Sequence, residues 1–108
     1  MSFKVETIAP FRKEAKKLIK KYPSLKDELA ELGTLLSMDP THGISLRNNC
    51  YNIRISIASK GKGKSGGARV ITHFYVSDKT VFLLSIFDKS DQESISDSQI
   101  KALLALIR

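Results

Sequence analysis

The stretch Tyr51-Asn52-Ile53-Arg54-Ile55-Ser56-Ile57-Ala58, followed nine residues later by Ala68-Arg69-Val70-Ile71-Thr72-His73-Phe74-Tyr75-Val76, decides the fold. In the first run Tyr51, Ile53, Ile55 and Ile57 alternate with Asn52, Arg54, Ser56 and Ala58, the period of two that a strand with one polar face needs. In the second, Val70, Thr72, Phe74 and Val76 point one way and Arg69, Ile71, His73 and Tyr75 the other. The connection, Ser59-Lys60-Gly61-Lys62-Gly63-Lys64-Ser65-Gly66-Gly67, reads as a flexible basic loop. Ser77-Asp78-Lys79 is a turn, and Thr80 to Phe87 is so nearly all apolar that it predicts a central strand covered on both faces.

Working outward, Phe3, Val5 and Thr7 alternate with Lys4 and Glu6 in a short first strand. Pro10 suits the first turn of a helix, where its missing N–H is no loss. Phe11, Ala15, Leu18, Ile19 and Tyr22 then recur at helical spacing. Tyr22-Pro23-Ser24 ends this helix and begins another, with Ser24 as N-cap and Asp27 in the first turn. Leu25, Leu29, Leu32 and Leu36 form its apolar stripe, which ends near Met38-Asp39-Pro40, so the two helices make an antiparallel hairpin. At the other end, Ser96 and Gln99 have capping-box spacing, and Ile95 and Ile100 occupy the hydrophobic-staple positions. The expected architecture is α+β: order β-α-α-β-β-β-α, an antiparallel sheet packed on one side by an N-terminal helical hairpin and a C-terminal helix.

With 108 residues, the chain has the length of one domain, 1–108, with one modest core. No apolar run approaches the length of a membrane span, and the first residues lack a secretory signal, so a cytoplasmic location is expected. Eighteen Lys+Arg against eleven Asp+Glu leave a net charge of +7. Such an excess attracts polyanions by counterion release, which puts nucleic acid slightly ahead of a solubility surface or a surface matched to an acidic protein partner. Cys50 is the single cysteine, which rules out an intrachain disulfide and a cysteine metal cluster.

His42 and His73 are the only histidines, without metal-ligand spacing, so neither a metal nor another cofactor is expected. His42 reads as a loop residue. His73 shares a face with Arg69 but stands about 13 Å along the strand from it. Lys13, Lys16, Lys17, Lys20 and Lys21 read as a solvated helix face or a contact to an RNA backbone. The informative constellation is Arg54 and Arg69 on neighbouring strands beside the lysine loop. If the apolar strand faces meet the helices, both arginines project from the opposite side. A guanidinium fork there can clamp two phosphate oxygens and stabilise a phosphorane-like transition state. Each also reads as a sheet-surface ion-pair residue, and Lys89, just past the last strand, reads as a solvated lysine.

The runs Asn48 to Arg54, Lys60 to Ile71 and Val81 to Ser90, followed by a helix opening at Ile95-Ser96-Asp97, resemble the RelE/HigB branch of the RelE/ParE toxins. The resemblance spans essentially the whole chain, and Lys62-Gly63-Lys64-Ser65-Gly66-Gly67-Ala68-Arg69 is its most specific part. It implies an mRNA interferase: a ribosome-dependent endoribonuclease, the effector of a type II toxin–antitoxin pair, which inhibits translation by cutting mRNA in the ribosomal A site. In such enzymes the ribose 2′-hydroxyl attacks the adjacent phosphate, with no metal. By position, Arg69 matches the arginine holding the scissile phosphate and Lys89 the basic position after the last strand. Arg54, Lys60, Lys62 and Lys64 match the basic strand and loop that contact RNA and transfer protons, since crowding by cations lowers a lysine's pKa. Many relatives carry a tyrosine near the end of the last strand; here Phe87 can stack on a base but has no hydroxyl to donate, and Ile95 follows further on. The resemblance also implies a cognate antitoxin covering the basic face with an acidic segment. Two other readings stay open: a ParE-type gyrase inhibitor on the same fold, and a non-catalytic RNA-binding module.

Overall fold

The computed structural model describes residues 2–60 and 67–107. Strand β1 (Lys4–Thr7) runs through Ile8 into helix α1 (Ala9–Lys21), followed by α2 (Leu25–Met38), strands β2 (Ile44–Ser45), β3 (Cys50–Ile55), β4 (Ala68–Tyr75) and β5 (Thr80–Asp88), and helix α3 (Asp97–Leu104). The sheet order is β1-β5-β4-β3-β2. Neighbours from β5 to β2 are antiparallel, but β1 lies parallel to β5, with Val5 opposite Val81, so the sheet is mixed. The chain leaves β1 through both helices rather than a hairpin, and that long crossover permits a parallel pairing. Strand β5 is central, as its apolar run requires: Val81, Leu83, Leu84, Ile86 and Phe87 are all buried.

The strand registers sort side chains onto two faces. One carries Ile53, Val70 and Phe74, together with Asp88 opposite Ala68. Helices α1 and α2 cover it: Phe3, hydrogen-bonded to Ser37 at the end of α2, packs edge-on against Phe74 at 5.4 Å, and the Tyr22 hydroxyl reaches Asp88. The other face carries Cys50, Asn52, Arg54, Arg69, Ile71, His73 and Phe87. Helix α3 packs on this second face, against β5 and over a cavity that it shares with His73 and Tyr75. The expectation of helices on one side only is therefore corrected. The physical reason lies in Ile71, Cys50 and Phe87, which are apolar, buried and in need of a cover of their own; Ile100 of α3 is buried as well. A bulge accommodates the twist, since Ile71 pairs with Ser85 and Thr72 with Leu83, leaving Leu84 as the extra residue.

Three local expectations also change. β3 stops at Ile55, and Ala58–Lys60 forms a 3-10 turn, although Ile57 is fully buried as its alternation required. Ser24 occupies the N-cap position of α2 as expected, but it makes no side-chain cap: its backbone is helical, and its hydroxyl engages Ser59 and Glu28 instead. The short edge strand β2 has no counterpart in the sequence reading. The capping box of α3 is present, with Ser96 Oγ accepting from Gln99 N–H and Ser96 N–H donating to Gln99 Oε1.

Candidate nucleic-acid interface

Arg54, Arg69 and Phe87 form one row across three strands. Arg54 is the cross-strand partner of Arg69 on β3, and Phe87 is its partner on β5. In-register partners of an antiparallel ladder share a face, with Cβ atoms about 5 Å apart. The alternation read from the sequence thus brings these three expected site residues together.

The row is not on an open surface, as the sequence led one to expect. Arg54 is exposed, but Arg69 is 3% exposed and Phe87 is 7% exposed. The Arg69 guanidinium donates from Nη1 to the Ala68 carbonyl at 3.1 Å. Burial first, and the charge of Arg54 second, push its pKa below the usual guanidinium value. Arg69 therefore stands as a desolvated cation facing a second cation.

Lys89 follows the last residue of β5, and its backbone is tied to the start of β4. Its backbone N–H donates to Gly67 O at 3.2 Å, two residues ahead of Arg69. Gly67 must be glycine for the strand to enter here, because a Cβ would lie 2.0 Å from the Ile55 carbonyl oxygen.

Lys60 does not join the row. Its ammonium pairs with the Asp88 carboxylate, donates to Ser90 Oγ at 3.0 Å and sits 5.6 Å from the Tyr22 ring centre, on the side of α1 and α2. Burial pushes the Asp88 carboxyl up, but the hydrogen bonds from Lys60 and Ser90, with the charge of Lys60, outweigh it and hold it at about 2. Asp88 went unnoticed in the sequence. Its signal was one acid closing an apolar strand, because a buried charge demands a partner. Lys62 and Lys64 lie outside the described residues.

Asn52 was also passed over. It alternates with Arg54 on the same face, and its Oδ1 is buried without a hydrogen bond among the described residues. Its place beside Arg54 follows from the period of two alone. The histidines lie away from the row: His42 faces Asp39 at 3.3 Å, and His73 Nδ1 stands 3.7 Å from Cys50 Sγ. Cys50 is fully buried, and desolvation pushes its thiol up to about 11, so it is a small core residue. None of the described helices is long and apolar enough to cross a membrane.

Comparison with solved structures finds the same fold in Escherichia coli proteins. An E. coli RelE toxin double mutant in the free state matches with a TM-score of 0.66 at 18% identity, over 100% of both chains. The isolated E. coli RelE toxin matches with a TM-score of 0.53 at 18% identity, over 96% of this chain and 98% of that one. A chain of the intact E. coli RelBE toxin–antitoxin complex matches with a TM-score of 0.52 at 21% identity, over 81% of this chain and 96% of that one. The family model described as the RelE toxin of the RelE/RelB toxin–antitoxin system matches residues 48–107. Those residues include β3, β4, β5 and α3, and with them Arg54, Arg69, Phe87 and Lys89: the chain belongs to the RelE toxin family of RelE/RelB toxin–antitoxin systems.

Proposed function

We propose that this chain, acting as a single domain over residues 1–108, is a ribosome-dependent mRNA endonuclease that cleaves without a metal. The observation that carries the reading is the Arg54–Arg69–Phe87 row. Arg69 holds the scissile phosphate and stabilises the charge that grows as the 2′-hydroxyl attacks, which is the largest catalytic contribution available to a site built from cations. Arg54, the exposed member, meets the RNA first, and a phosphate reaching Arg69 displaces part of its cover. Lys89 supplies a third cation, beside the leaving 5′-oxygen. Phe87, the third member of the row, is the aromatic residue that can pack against a base once RNA is bound. Lys62 and Lys64 add backbone contacts. A cognate antitoxin neutralises the toxin, in this reading, by covering its basic face; the matched E. coli chain comes from a RelBE toxin–antitoxin complex.

Inducible expression, with and without the neighbouring antitoxin gene, tests this. Mapped mRNA 5′ ends should accumulate within translated codons only when the toxin is unopposed. Intact mRNA together with DNA damage would point instead to gyrase poisoning.

A further inference from the structure

Asp88 is the buried charge that the arginine row does not use. Its Oδ1 accepts from the Ser90 backbone N–H at 2.8 Å as well as from Lys60, and its Oδ2 accepts from the Tyr22 hydroxyl at 3.2 Å. Its carbonyl accepts from the N–H groups of Asp91 and Gln92, at 3.0 and 3.1 Å. These bonds define the turn that carries Lys89. On one side Phe87 is locked into the ladder with Arg69; on the other Ser90 is held by the Asp88 carboxylate; Lys89 itself bonds to Gly67. The side chain of Asp88 is 1% exposed and that of Lys60 is 8% exposed. A carboxylate so buried keeps its charge, and hence its grip on Ser90, only while Lys60 neutralises it. Without that ammonium the turn must open to rehydrate the carboxylate.

We propose that Asp88, neutralised by Lys60 and braced by Tyr22, is a positioning residue that sets Lys89 beside Arg69, so that Lys60 serves cleavage through this ion pair and not by touching RNA. The inference rests on the reading of Arg69 and Lys89 as phosphate-handling groups. It places the charge essential to the geometry on the face opposite the substrate.

The test is single-turnover cleavage of an mRNA bound to ribosomes, alongside ribosome affinity, using full-length proteins. Asp88→Asn and Lys60→Met should each slow cleavage about 100-fold, the scale of an ångström-sized misplacement. Ribosome affinity should stay within about two-fold of the parent, and removing both charges together should cost no more than removing either alone, because coupled partners are not additive. In a Lys89→Ala background, Asp88→Asn should have no further effect. Tyr22→Phe removes one hydrogen bond and no charge, and it should show the same dependence on Lys89 at smaller amplitude if the charge variants fold poorly. Two results overturn the inference: Lys60→Met weakening affinity while sparing the rate of the bound complex, or Asp88→Asn and Tyr22→Phe costing as much without Lys89 as with it. Failure of the parent protein to cut ribosome-bound mRNA overturns the functional reading itself, and this inference with it.

Discussion

Arg54 and Arg69 face each other as cross-strand partners of β3 and β4, one exposed and one buried, and the charge of the first adds to the burial that lowers the pKa of the second. Two like charges directly opposed on a ladder weaken it. An anion spanning both would offset that repulsion.

A substitution at Arg69 that keeps its bulk and removes its charge separates its role in the fold from its role in the chemistry. Arg69→Met removes the charge and the hydrogen bond to the Ala68 carbonyl while keeping most of the bulk, and it should cost only about 1 kcal/mol of stability, the scale of one lost hydrogen bond. The same variant should lose toxicity in growing cells. Thermal melts with growth curves check this, and a large fall in the midpoint would mean that the guanidinium is structural.

Asp88 makes stability depend on acid. Its carboxyl is held at about 2 in the folded chain against an ordinary value of 3.8. A depressed carboxyl stabilises the fold fully above its ordinary value and loses that contribution as pH falls towards the depressed one. About 2 kcal/mol should therefore disappear between roughly pH 4 and pH 2. Denaturant titrations across that range should show the loss, and Asp88→Asn should flatten it while lowering stability near neutrality by about 3 kcal/mol through the stranded Lys60.

Gly67 allows the close approach of β4 to β3. Gly67→Ala places a Cβ against the Ile55 carbonyl and should destabilise the domain by about 2 kcal/mol or more, as overpacking does. An equilibrium unfolding midpoint reads the effect. An unchanged midpoint would mean that the strands separate easily here.

The capping box holds α3 over the second face. Ser96→Ala should cost about 1 kcal/mol, and amide exchange should quicken in α3 before it does so in β5.

Much of this was legible in the sequence, for reasons that can be named. The alternation in Tyr51–Ile55 and Ala68–Tyr75 put Arg54 and Arg69 on one face, and the apolar run to Phe87 made β5 central, because period and burial are local properties. The side on which α3 lies was not legible. A period of two says which residues share a face; it does not say which face a distant helix covers, and Ile71 and Cys50 between polar neighbours were the only hint. Lys60 misled for a similar reason. In the sequence it belongs to a run of lysines, but its partner Asp88 is twenty-eight residues away, and a long-range ion pair leaves no mark on spacing. The parallel entry of β1 and the edge strand β2 depend likewise on contacts that no local pattern encodes.

The claim that Arg54 and Arg69 grip the scissile phosphate is met most directly by the single-turnover cleavage rate of ribosome-bound mRNA with saturating Arg69→Ala protein. A loss of about 100-fold or more, with ribosome binding retained, is the result this account predicts. A bound complex that cuts at the parental rate would contradict it.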